Sequence, residues 1–288
     1  MSRRSAVVSI LYENESVMDL SFTSPPKLVE RVERSAWVDM FASASDEVRS
    51  TFSLESSAFG SVPLLGSRGL AITEFNRAFV LEDVDRPSMD ALISWLEGNA
   101  APQWALQIAD SIHTSDIRSS AESLKLAPAG PGWSKLLAQA GSVPALSDMD
   151  DIAIVEGNGK DFGDIIAGVY GLPGVGADWF SSLAQRPGWS LCVASSNGSI
   201  AGAGAIYVEG DWAWFGIDAT LPVFRGKGIQ TALIRYRAER AKVRGARYLT
   251  AETGRPETAG GKHTSRDNYL RCGFSEAYHR LNYSPVSL

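Results

Sequence analysis

Cysteine is scarce in this chain: two in 288 residues. Cys192 and Cys272 lie far apart, with neither a CxxC nor a Cys/His ligand spacing, so a disulfide framework and a structural metal site are both excluded as readings. A reducing, cytoplasmic setting is expected instead. Long apolar runs are also missing, and nothing is long enough to span a bilayer. The opening stretch, with Arg3 and Arg4 before a short apolar run, has the outline of a signal sequence. That run is too short, and Tyr12-Glu13-Asn14-Glu15 follows it directly with no cleavage-type segment, so a soluble protein is expected. There is no excess of positive charge. The net charge of −6 argues against nucleic acid as a partner. No GxxxxGK[ST] loop occurs, since Gly228 follows Lys227 and His263 follows Lys262. His113, His263 and His279 read as loop or surface residues and no metal is expected.

What is present fits two domains of ordinary size. A Pro/Gly/Ser/Asp-rich interval from Gly141 to Asp151 marks the boundary, giving units of 1–145 and 150–288. In the first unit a strand-like lead over 1–25 precedes a helix through Leu28, Val29, Val32, Trp37 and Met40. Strands are expected at Ala71-Ile72 and Ala78-Phe79-Val80, then a helix from Asp85 to Gly98-Asn99. Trp104–Ala109 reads as a strand, Thr114 as the cap of a helix running to Leu126, and Trp133–Ala138 as a last strand.

The second unit is clearer. Strand Ile152–Val155 precedes short helices at Asp161–Tyr170 and Ala177–Ala184. Trp189–Ala194, Ile200–Val208 and Trp212–Asp218 form a three-strand meander, turned by Asn197-Gly198 and by Glu209-Gly210-Asp211. Pro222 stops the third strand. A loop with two glycines and two cations, Arg225-Gly226-Lys227-Gly228, then opens a helix. Ile229, Ala232, Leu233, Tyr236, Arg240 and Val243 predict its buried face. Glycines let another molecule approach the backbone, and the first turn of a helix has unpaired amides at the positive end of a dipole. Such a loop is a cradle for phosphate. Alone it is equally an ordinary strand-to-helix turn, or half of a dinucleotide loop with Thr231 in place of the last glycine.

Tyr248–Glu252 is a further strand, and His263–Arg271 a short helix ended by Gly273-Phe274 and a closing strand to Tyr283. With this order in place, the second unit resembles the GNAT superfamily of acyl-CoA-dependent N-acetyltransferases. Arg225, Gly228 and Gln230 stand at the three marked positions of that family's Arg/Gln-x-x-Gly-x-Gly/Ala loop. Gln230 departs from the small residue usual there. Ser265, Asn268, Tyr269 and Gly273-Phe274 are similar to the family's Asn-Tyr helix and following Gly-Phe. The resemblance covers 150–288. The first unit has an element order compatible with a degenerate tandem copy, with no matching loop, so no cofactor is expected in it.

The resemblance implies an α/β (α+β) fold, a mixed and largely antiparallel sheet flanked by helices, and the compatible order of the first unit extends the expectation to a tandem. It implies acetyl-CoA as acyl donor. The amides of Arg225, Gly226, Lys227, Gly228, Ile229 and Gln230 would hold the pyrophosphate, main chain at Ala219 and Thr220 the pantetheine arm, and Ser265 and Asn268 the cofactor from the last helix. Tyr269 stands where the family places the acid that reprotonates the thiolate; Glu252, then Asp218, are the candidate bases, directly or through water. Trp212 and Trp214 share a strand face, and one of them can line an amine site. The implied reaction is direct attack of a small-molecule primary amine in a ternary complex, by a monomer or homodimer. A peptide or protein N-acetyltransferase and a non-catalytic acyl-CoA-binding module are the alternatives.

Overall fold

The computed structural model describes residues 25–80, 84–110, 114–146, 151–258 and 261–286. The strand expected at the start of the chain lies outside them. Helices α1 (Pro25–Ala42) and α2 (Asp46–Phe52) lead into strands β1 (Leu54–Phe59), β2 (Val62–Ser67) and β3 (Arg77–Val80). Then follow α3 (Arg86–Asn99), β4 (Ala105–Ala109), α4 (Ser115–Ser123), β5 (Leu126–Pro128) and β6 (Trp133–Gln139). The second half begins with β7 (Ile152–Glu156), α5 (Gly159–Tyr170) and α6 (Gly174–Ser182). Its meander is β8 (Trp189–Ser196), β9 (Ser199–Glu209) and β10 (Trp212–Thr220). The chain closes with α7 (Ile229–Val243), β11 (Tyr248–Gly254), α8 (Thr264–Arg271) and β12 (Ser275–Pro285).

The helix caps follow the residues that favour them. Asp85 accepts from the Ser88 amide at the start of α3, and Asn158 from the Asp161 amide at the start of α5. Three expectations are corrected. Ala71-Ile72 is not a strand, because Ile72 leads into a tight turn over Thr73–Phe75. Helix α4 stops at Ser123, where Lys125 takes a positive φ before β5 begins. Thr114 turns its hydroxyl back to the Ala109 carbonyl rather than onto the amides of α4. The α7 face is also rotated from the expected one. Val243 is 73% exposed, whereas Arg237, Ala238 and Ala241 are buried.

All twelve strands join one sheet in the order β1-β2-β3-β4-β12-β6-β11-β10-β9-β8-β7, with β5 beside β12. Only the pairs β3–β4 and β10–β11 are parallel among the described residues, and each parallel pair is joined through a helix, α3 or α7. The two halves exchange strands. β6, from the first half, lies between β11 and β12, and the far end of β12 lies between β4 and β5. The expected boundary interval therefore connects two halves of a continuous sheet.

Helices stitch the halves from above. The Trp179 indole donates to the Met40 carbonyl at 2.9 Å, and Asp39 accepts from both Arg186 and Trp189. Below them lies a buried charge cluster at the strand exchange. Arg77, Lys135 and Arg280 are the cations, and Glu30, Glu33 and Glu252 the carboxylates. Three charges of each sign make it neutral. Burial alone raises the Glu33 carboxyl, but Arg280, Lys135 and Arg77 outweigh it and hold the group at about 2. Burial lowers the Lys135 ammonium and takes Arg77 down to about 9 against the pull of Glu33.

Candidate active site

β10 leaves the sheet at Thr220, and one short turn over Pro222–Phe224 carries the chain into the loop. Gly226 and Gly228 have φ of 76° and 83°, the left-handed region in which a side chain is strained. Gly228 then caps α7. The amides from Gly226 to Thr231 find no carbonyl partner among the described residues, which leaves a row of free donors at the helix start. The Gln230 side chain explains its departure from the usual small residue. It donates to Ser265 Oγ at 2.9 Å and accepts from Asn268 Nδ2 at 2.6 Å, which ties the loop to α8. A cleft of about 1120 Å³ runs along this surface. Ala219, Thr220, Arg225, Gly226, Gly228, Ile229, Gln230, Ser265 and Asn268 line it. Lys227 does not, and its ammonium rests 5.3 Å from the Phe224 ring centroid.

β10 and β11 pair only as far as Phe215 and Ala251. Beyond that point β10 stays with β9 through an irregularity between Gly216 and Ala219, while β11 stays with β6 to Gly254. The strands therefore splay, with Ile217 at a positive φ of 53° at the fork. An edge opened in the middle of a sheet presents main-chain groups to an extended ligand.

Beside the fork, Asp218 pairs through both oxygens with the buried guanidinium of Arg237. Tyr269 donates its hydroxyl to Asp218 Oδ2 at 3.0 Å, and Arg237 Nη2 lies 3.4 Å from the same hydroxyl. Burial first, then Asp218, pushes the phenol well above its ordinary value of 10. The group holds its proton. Arg237 fits because β9 has Gly204 beneath it, where a Cβ would come within 2.9 Å of the guanidinium. The rim of the fork is completed by Tyr170, whose hydroxyl donates to the Asp218 carbonyl at 3.3 Å.

On the other side of the fork a second cavity of about 340 Å³ opens between the two halves of the chain. It shares Asp218, Gln230 and Ser265 with the cleft, so the two voids meet at the split. Tyr269 and Glu252 line it, with Glu252 tied behind the wall to Arg280. Trp214 also lines it, whereas Trp212 stacks on Tyr248 at 4.8 Å instead. Helices α5 and α6 contribute Tyr170 and Phe180, and the first half contributes Trp37, Glu74, Phe75 and Trp133. Arg237, Glu74 and the aromatic residues of the first half are not legible as site residues in the sequence. The one available signal was the glycine spacing of β9, which leaves room for a large buried side chain.

A mixed, mostly antiparallel sheet that splays beside a glycine-opened helix is the GNAT-type fold expected from the sequence. Residues 169–274 match the model of the acetyltransferase (GNAT) family. The structure is similar to a GCN5-related N-acetyltransferase from Kribbella flavida, with TM-score 0.59 and 12% identity over 91% of this chain and 96% of that one. It is also similar to a GCN5-related N-acetyltransferase from Sphaerobacter thermophilus, with TM-score 0.52 and 18% identity over 69% and 70% of the two chains. A tandem GNAT protein from the clavulanic acid biosynthesis pathway aligns with TM-score 0.50 and 13% identity over 72% and 74%. At such identities these likenesses establish the fold. No curated protein matches the chain in sequence. No helix among the described residues is long and apolar enough to cross a membrane.

Proposed function

We propose that this protein transfers an acetyl group from acetyl-CoA to the primary amine of a small molecule, by direct attack in a ternary complex. The observation that carries this reading is the meeting of the two voids at the β10–β11 fork, one beside the phosphate-type loop and one between the halves. On this reading 1–145 and 150–288 are two units of a duplicated fold that exchange a strand each. The element order supports it: helices, three strands, helix, strand, helix and strand run in the same order in both, with β7 preceding them in the second half and β6 added after β5 in the first.

The residues present fit the donor. Free amides from Gly226 through Gln230 and the Arg225 side chain suit a pyrophosphate. Lys227 adds only screened attraction from the rim. The unpaired edge of β10 at Ala219 and Thr220 suits an extended amide-bearing arm, and Ser265 and Asn268 flank it from α8. When bound, acetyl-CoA supplies an activated acetyl thioester. Tyr269 holds a proton at its hydroxyl beside the fork for the departing thiolate. Glu252 and Asp218 line the acceptor cavity as ion-paired carboxylates, and this reading takes the amine proton through water onto one of them. The bounded volume and aromatic lining of the acceptor cavity support a small molecule over a peptide chain, which needs an open groove.

Calorimetric titration with acetyl-CoA tests the donor site. Each charge-assisted hydrogen bond contributes roughly 1.5–3 kcal/mol, or roughly 10- to 150-fold in Kd. Gly228→Asp, which strains the loop and sets a carboxylate against phosphate, and Arg225→Glu are each expected to weaken binding by that much. Unchanged affinity in both variants removes the loop assignment.

A further inference from the structure

We propose that the acceptor is a small cationic amine with an aromatic body, and that Glu74, from the first half of the chain, holds its ammonium. The inference rests on the acetyltransferase reading and deepens it to a substrate class. Three independent observations lead to it.

The first is the charge of the cavity between the halves. Three carboxylates line it, Glu74, Asp218 and Glu252, and no lysine, arginine or histidine does so among the described residues. Asp218 is neutralised by Arg237 and Glu252 by Arg280. Among the described residues no cation lies within ion-pair distance of Glu74. Arg77, held in the buried cluster, feels Glu74 from beyond ion-pair range, so this half-buried carboxylate facing an aromatic cavity is left to favour a cation there and to repel an acceptor that brings its own carboxylate. Glu74 also faces the fork, since it joins burial and Asp218 in pushing the Tyr170 phenol up to about 12.

The second is the wall chemistry. Trp37, Phe75, Trp133, Tyr170, Phe180 and Trp214 line the cavity, an apolar enclosure matched to a ring and to a cation near ring faces.

The third is that the wall bearing Glu74 is built rigidly. Asn76, fully buried, accepts from the Ser67 and Ala101 amides at 2.8 and 2.9 Å. Its Nδ2 donates to the carbonyls of Leu70 and Ile72 at 2.6 and 2.9 Å. Four bonds from one side chain fix the turn over Thr73–Phe75 that presents Glu74 and Phe75 to the cavity.

The test is calorimetric titration of the full chain with tyramine, 2-phenylethylamine and tyrosine, alone and after saturation with acetyl-CoA. Tyramine and 2-phenylethylamine are each expected to bind at least about tenfold tighter than tyrosine, which adds a carboxylate. Glu74→Gln keeps the Asn76-held turn and is expected to weaken tyramine roughly tenfold or more, with acetyl-CoA affinity unchanged within about twofold. Tyramine binding equally well to wild type and Glu74→Gln, or tyrosine binding as tightly as tyramine, overturns the inference while leaving the acetyltransferase reading intact. Failure of acetyl-CoA to bind sinks that reading instead, and the titrations with amine alone still decide the role of Glu74.

Discussion

Tyr269→Phe is expected to lower kcat by on the order of 10²–10⁴, the usual cost of deleting one acid–base group. The substitution is clean in structural terms. The ring keeps its edge contacts with Phe215 and Phe274, at centroid distances of 6.4 and 5.0 Å. Asp218 keeps its two-pronged pair with Arg237. Two hydrogen bonds to charged groups are lost, the one donated to Asp218 and the longer one accepted from Arg237, and the variant remains folded with a stability cost of about 1.5–3 kcal/mol. The KM for acetyl-CoA should stay near wild type, because Tyr269 does not line the loop-side cleft. The pH profile supplies a second reading. An acid must be protonated, so its activity falls as pH rises through its pKa. Burial and Asp218 hold that value well above 10, and no alkaline decline assignable to Tyr269 is expected below about pH 10. Activity of Tyr269→Phe within about threefold of wild type would reduce Tyr269 to a packing residue.

Glu33→Gln is expected to destabilise the fold by about 3–5 kcal/mol, because it leaves one uncompensated positive charge in a buried, otherwise neutral cluster of six. Denaturant unfolding followed by tryptophan fluorescence measures it. Glu33→Gln combined with Lys135→Met restores neutrality and should recover much of the loss, a coupling that a double-mutant cycle quantifies. The pH dependence has a definite sign. The folded carboxyl sits at about 2, below its ordinary 4.5, so its contribution is fully present above pH 4.5 and is lost as pH falls toward 2. Wild type should therefore weaken across that window, and Glu33→Gln should show a flatter acid limb there.

These two residues also show how unevenly the sequence exposes its own site. The loop from Arg225 to Gln230 and the pair Tyr269 and Gly273-Phe274 are short-range patterns, each set by the needs of one turn and one helix, and the structure gathers them around one fork. The exchange of β6 and β12 has no such local signature. A strand's sequence reports which faces are buried, not which neighbour it pairs with. Arg280 meets Glu30 across 250 positions, and Lys135 meets Glu33 across 102, so each reads alone as an ordinary surface charge. Arg237 was hidden by the helix itself. Its periodic neighbours suggested a face ending at Val243, while the cavity above Gly204 and the charge of Asp218 draw the guanidinium inward. Glu74 sits on a turn fixed by Asn76, and its closeness to the fork arises only when the halves pack.

The most direct measurement is product formation by the purified chain given acetyl-CoA and a panel of small primary amines, following CoA thiol release and the mass of the amine together. The account predicts release matched mole for mole by N-acetylated amine, abolished by Gly228→Asp and reduced to the level stated above by Tyr269→Phe. Absence of any acetylated amine across the panel, with acetyl-CoA bound, would contradict it.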